Sequence, residues 1–216
     1  MDWDWGTIAS CGSAVAAFVA LFISLRQGRM SNKQSLFERR LRIWIVVEKL
    51  MFLYRSNSDH LDIGDGPQLH IELCFKWLTN TTFLQEIQLA IAHVLESGYQ
   101  LKLHLKLDEM KSLSAEAIFV FKFKPKVVIA EFIEAYQALL FSMYRYQIVI
   151  NEVQANANKF HLTFERAAEQ LDEERYRADL SAAIDRLAVA HEKLDCQRMI
   201  KRIQRQISLD CIAFRV

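Results

Sequence analysis

Breakers of regular structure are scarce in this chain: 216 residues contain six glycines and two prolines. Beyond residue 25 they occur only as Gly28, Gly64, Gly66, Pro67, Gly98 and Pro125. A β-sandwich or barrel needs turn residues about every ten positions, so the scarcity favours long helices. The four cysteines, Cys11, Cys74, Cys196 and Cys211, form no Cys-x-x-Cys pair. That argues against a zinc site or a disulfide framework and fits a reducing compartment. Neither sign of charge dominates, because 27 basic and 26 acidic residues leave a net charge of +1. A general nucleic-acid binder carries a clear basic excess, so direct DNA binding is not expected. Catalytic signatures are also missing: no glycine-rich phosphate loop, no His-Glu-x-x-His, no Gly-x-Ser-x-Gly and no zinc-deaminase pattern. His60, His70, His93, His104, His161 and His191 stand at no metal-ligand spacing. The expectation is therefore no enzyme, no catalytic residue, no cofactor and no metal.

One long uncharged run is present. From Gly6 to Leu25 there are twenty residues without a charge. As a helix this run is roughly 30 Å long, one hydrocarbon thickness. A secretion signal carries its positive charges before the apolar run. Here Asp2 and Asp4 precede it, and Arg26, Arg29, Lys33, Arg39, Arg40 and Arg42 follow it against a single Glu38. The positive-inside rule places the C-terminal flank in the cytoplasm, and Trp3 and Trp5 suit the opposite interface. The reading is an uncleaved single-pass anchor, N-out and C-in, over residues 1–30 of a bacterial inner-membrane protein. The competing reading is a buried helix of a soluble protein. It draws on weak hydrophobicity, since Gly6, Thr7, Ser10, Gly12 and Ser13 crowd the first half. Eight strongly apolar residues supply only about −4 kcal/mol of insertion energy before polar terms.

Small residues fall in two adjacent rows: Gly12, Ala16, Ala20, Ser24 and Ala9, Ser13, Ala17. Spacing of four places each row on one helix face, where a second helix can approach closely. The rows point to self-association in the bilayer, a homo-oligomer. Trp3, Trp5, Arg26, Arg29, Lys33, Arg39 and Arg40 are the expected membrane-interface residues. The basic group also suits anionic headgroups.

The cytoplasmic part reads as residues 31–157 plus a long C-terminal helix over 158–216. Ser31-Asn32 can cap a helix from Lys33 to about Arg55, with Leu36, Ile43, Val47 and Leu50 on its apolar face. Residues 56–67 read as an acidic loop in which Asp59, His60, Asp62 and Asp65 lack the spacing of a calcium loop. Residues 69–97 read as helical, with a break near Asn80 and a stop at Gly98. "LKLHLKL" at Leu101–Leu107 alternates like a strand, and "FVFKFK" at Phe119–Lys124 partly does. A small hairpin over 101–124 competes with a helix whose stripe is Leu103, Leu107, Met110 and Leu113. Pro125 opens a helix to about Val153, and Glu131, Glu134 and Arg145 argue against a second span over 127–150. Leu180, Ile184, Leu187, His191 and Leu194 then follow a 4-3-4-3 pattern, with Ile200, Ile203 and Ile207 shifted from it. That helix should pack on the bundle or on another copy. Arg198, Lys201, Arg202 and Arg205 read as a solvated basic end, with RNA or lipid as alternative contacts. The fold class is all-α.

"SNKQSLFERRLRIW", Ser31 to Trp44, resembles a set of bacterial inner-membrane proteins with one N-terminal span. They carry a juxtamembrane Lys-Gln-x-Leu-Phe-Glu-x-Arg-Leu pattern followed by an aromatic. "SAEAIFVFKFKPKVVIAEFI", Ser114 to Ile133, looks like their later segment. The resemblance covers about half of the chain. Some of these proteins are similar to membrane effectors of phage-defence loci, including retron and abortive-infection systems. The resemblance implies an effector released from a regulatory protein or ribonucleoprotein partner to perturb the bilayer. The alternative is a membrane-tethered scaffold or sensor.

Overall fold

The computed structural model describes backbone residues 5–61 and 71–208, with side chains from residue 18 onward in those ranges. Every described element is a helix or a turn. Helix α1 is Trp5–Asn57, α2 is Ile71–Leu78, α3 is Ser97–Val120 and α4 is Lys124–Phe160. Three more follow: α5 Phe164–Gln170, α6 Glu173–Asp195 and α7 Gln197–Ile207.

Helix α4 is the central element. It buries Phe132, Ile133, Tyr136, Leu139, Leu140 and Met143, packing chiefly against α6 and α3. Pro125 sits in its first turn, where the missing N–H costs nothing. Among the described residues, α4 is the one helix long and apolar enough to cross a membrane by length and composition, and about half of its apolar window is buried in the bundle. Its charges face neighbouring helices: Glu131 pairs with Lys193, Glu134 with Arg186 and Arg145 with Asp179. Tyr146, buried on the same helix, donates its hydroxyl to Glu173, which Arg177 also grips through two N–H groups.

Several expected boundaries change. The helix expected to start at Lys33 is instead the second half of α1, which runs through Ser31-Asn32 without a cap. Helix α3 passes straight through residues 101–120, so the hairpin over 101–124 does not form. Leu103, Leu107, Met110, Leu113 and Ala117 share one buried stripe, while Leu101 and Leu105 lie on the solvent face. The alternation in the sequence is the beat of two helix faces. Gly98 stands in the first turn of α3 rather than stopping a helix.

The helix expected over 69–97 shortens to α2. Thr79 returns its hydroxyl to the Phe75 carbonyl at 2.7 Å, and later amides bond three residues back, as in Leu84 to Thr81, Ile87 to Leu84 and Ala90 to Ile87. These tight turns still bury Leu84, Ile87, Ala90, Ile91 and Val94. The single long C-terminal helix is three helices. The chain turns at Asp172, which is left-handed, and at Cys196, which is extended. Leu180, Leu187 and Leu194 are buried as their spacing predicts, and the shift to Ile203 coincides with the break at Cys196. One hydrophobic core joins α1, α2, α3, α4, α6 and α7.

Candidate membrane interface

Helix α1 is 53 residues long, about 80 Å. Among its described side chains, only those of its second half touch the bundle. Ile43, Trp44, Val47, Leu50, Met51 and Tyr54 enter the core, and Leu36 is the first side chain packed against it. Every side chain from Phe18 to Ser35 is exposed. Phe18 (74%) and Phe22 (68%) stand among Val19, Leu21, Ile23 and Leu25 in the same state. This segment is apolar on all sides, which in water would be an unpaired hydrophobic rod. Arg26, Arg29 and Lys33 follow it directly.

The small-residue rows are placed only in part. Ala20 and Ser24 are exposed on this rod. The side chains of Trp5, Ala9, Gly12, Ser13, Ala16 and Ala17, and Trp3 entirely, lie outside the described residues, as do Asp62, Asp65, His70, Cys11 and Cys211. Among the described residues no three His, Cys, Asp or Glu side chains converge as a metal site. His60 stacks obliquely on Trp77, and its carbonyl accepts the Cys74 thiol; burial pushes that thiol's pKa up.

The cations that follow the apolar segment divide into three sets, of which Arg26, Arg29 and Lys33 are exposed. Arg39 and Arg42 reach Glu116 on α3, Arg42 at 2.6 Å. Arg40 belongs to the bundle. Its Nε donates to the Val120 carbonyl at 2.6 Å and its Nη1 to the Gln206 carbonyl at 3.2 Å. Those carbonyls are at the C-terminal ends of α3 and α7, where the helix dipole is negative and the last carbonyls lack helical partners. One guanidinium thus fastens α1 to both helices at the point where α1 leaves the bundle. Gln206 adds a two-way bridge, its side chain accepting from the Lys122 amide at 2.9 Å and donating to the Lys122 carbonyl at 3.2 Å.

The α3–α4 connection beside this joint is unusual. Phe121 is buried, but Phe119 (86%) and Phe123 (82%) project into solvent. Phe123 has φ 58° and ψ −143°, a region that non-glycine residues rarely occupy. Phe123, Pro125, Arg202, Arg205 and Gln206 line an open cleft of about 520 Å³. A smaller cleft shares Arg202 and adds Lys124, Lys193 and Arg198. No acidic residue stands between Glu116 and Glu131 or between Asp195 and Ser208. Cations therefore predominate along both clefts, with Lys193 also pairing with Glu131. Of the tail cations Arg198, Lys201, Arg202 and Arg205, expected as a solvated end, Arg202 and Arg205 share a cleft with Gln206, whose carbonyl Arg40 holds. The exposed phenylalanines were hidden in a segment that reads as a strand. No protein family, no curated protein and no solved structure matches this chain.

Proposed function

We propose that this chain is a membrane-anchored helical effector of a bacterial defence or toxin system. The N-terminal half of α1 enters the inner membrane, the bundle stays on the cytoplasmic side, and self-association of the anchor perturbs the bilayer when a regulatory partner releases it. One observation carries this reading: an unbroken helix joins the bundle to an apolar, wholly exposed segment that ends in three cations. With no hinge between them, a change of packing in the bundle is transmitted to the anchor as a rotation or tilt. The small-residue rows and weak hydrophobicity favour helix partners over a solitary anchor.

Expression with a membrane-potential dye tests the proposal. The intact protein should depolarise cells, and Gly12→Leu/Ala16→Leu should not. If both are equally harmless with no partner present, the effector reading fails. If a foreign span then still recruits the same cytoplasmic partner, the chain is a tethered scaffold. Recovery in the soluble fraction without detergent removes both.

A further inference from the structure

Four cations of α1 share one side of the helix, while Arg39 and Arg42 stand on another and reach Glu116. At 100° per residue, Arg26, Arg29, Lys33 and Arg40 fall within a sector of about 60°. Arg40 fixes where that sector points, because it contacts the ends of α3 and α7. The cations of the exposed stalk therefore lie on the side of α1 that faces Gln206, to which Lys122 is bonded and beside which Arg202 lines a cleft, with Lys124 on the adjoining cleft. Exposed Phe123 lines the same cleft as Arg202 and Gln206, and exposed Phe119 immediately precedes Val120, whose carbonyl Arg40 holds. Basic side chains interleaved with aromatic ones are the composition that binds an anionic lipid surface.

We propose that this face of the bundle is a second membrane-contacting site. It takes an anionic phospholipid surface, and α1 leans toward it so that Phe119 and Phe123 reach the headgroup layer. The inference rests on the anchored reading of α1 and adds the orientation of the bundle to it. Between Leu25 and Leu36 the stalk is about 16 Å long. The headgroup layer fills about 5–8 Å of that. The remaining gap of about 10 Å is one Debye length, so the cations sense the surface even with α1 upright. A tilt of about 20–40°, within the range of single spans, brings the face down onto it. The strained backbone at Phe123 has a use in this arrangement, since it holds a large apolar side chain out of the core and toward the bilayer.

The test uses the full chain reconstituted in vesicles, with p-benzoylphenylalanine replacing one phenylalanine at a time. Positions Phe119 and Phe123 probe the face, Phe22 probes the anchor, and Phe52, exposed farther along α1, is the control. Irradiation in phosphatidylglycerol-containing vesicles should give lipid adducts at Phe22, Phe119 and Phe123 and none at Phe52. In pure phosphatidylcholine, or in about 0.5 M salt, where screening shortens the field, the adducts at Phe119 and Phe123 should fall and the Phe22 adduct should persist. Lys122→Gln/Lys124→Gln/Arg202→Gln should lower the Phe123 adduct at least about fivefold, with the Phe22 adduct as the check that the chain is folded and inserted. Adducts at Phe22 without any at Phe119 or Phe123 in anionic vesicles overturn the second site and leave the anchor standing. Absence of lipid adducts at Phe22 overturns the anchor itself. An RNA adduct at Phe123 after irradiation of intact cells also overturns the proposal, because the basic face would then serve a nucleic acid.

Discussion

Replacing Phe123 with glycine should stabilise the protein. Its φ of 58° and ψ of −143° cost a residue bearing a Cβ about 1–3 kcal/mol. The ring is 82% exposed, so little burial is lost with it, roughly 0.5 kcal/mol. Glycine adds freedom to the unfolded chain, which costs about 0.5–1 kcal/mol. The balance is a gain of about 1 kcal/mol, or a rise in Tm of about 2–4 °C for a chain of this length. Phe123→Ala separates the terms, because alanine loses the same ring but keeps the Cβ and its strain. Thermal melts followed by circular dichroism at 222 nm in mild detergent should place glycine above wild type and alanine at or below it. Equal melting of the glycine and alanine variants, or a glycine variant that melts lower than wild type, would refute the claim of stored backbone strain.

Arg40→Met should cost about 2–3 kcal/mol, since it strips donors from the Val120 and Gln206 carbonyls at the joint; a urea titration should show a lower midpoint, while Arg26→Gln, on the exposed stalk, should leave it unchanged. His191 packs against Tyr54 and Phe132, and its Nε2 is buried with no partner among the described residues. Burial lowers its pKa from the ordinary 6.5; nearby Asp195 raises it, and Arg55 adds to the lowering. The unfolded chain therefore takes up the proton first, and stability should fall as pH drops through about 6.5 and level off below the folded-state value; His191→Phe should flatten that dependence in melts between about pH 7.5 and 5.5. Ser31→Pro should kink α1 between anchor and bundle. Bundle melting should be unchanged while depolarisation is lost; full depolarisation by this variant would show that the helix need not be continuous.

Helical periodicity was the most legible feature. Leu103, Leu107, Met110 and Leu113 on α3, and Leu180, Leu187 and Leu194 on α6, are buried where their spacing predicts. Local spacing did not reveal where a helix gives way to tight turns. Residues 81–96 keep apolar residues at helical intervals, yet their amides bond three residues back, and the same residues are buried in that tighter geometry. Arg40 illustrates the same limit. It reads as one of six juxtamembrane cations, and only its contacts with residues 80 and 166 positions away distinguish it from Arg26.

The order of charge around residues 6–25, the all-helical class and the apolar stripes follow from sequence alone, because each depends on neighbours within a turn or two of the chain. The breaks at Asp172 and Cys196 and the gathering of the ends of α3 and α7 around Arg40 were decided by the tertiary structure. Those features depend on carbonyls, charges and rings brought together from distant segments. The basic, aromatic face is their clearest product, since neither Phe123 nor Arg202 has a special local signal until packing sets them on the same cleft.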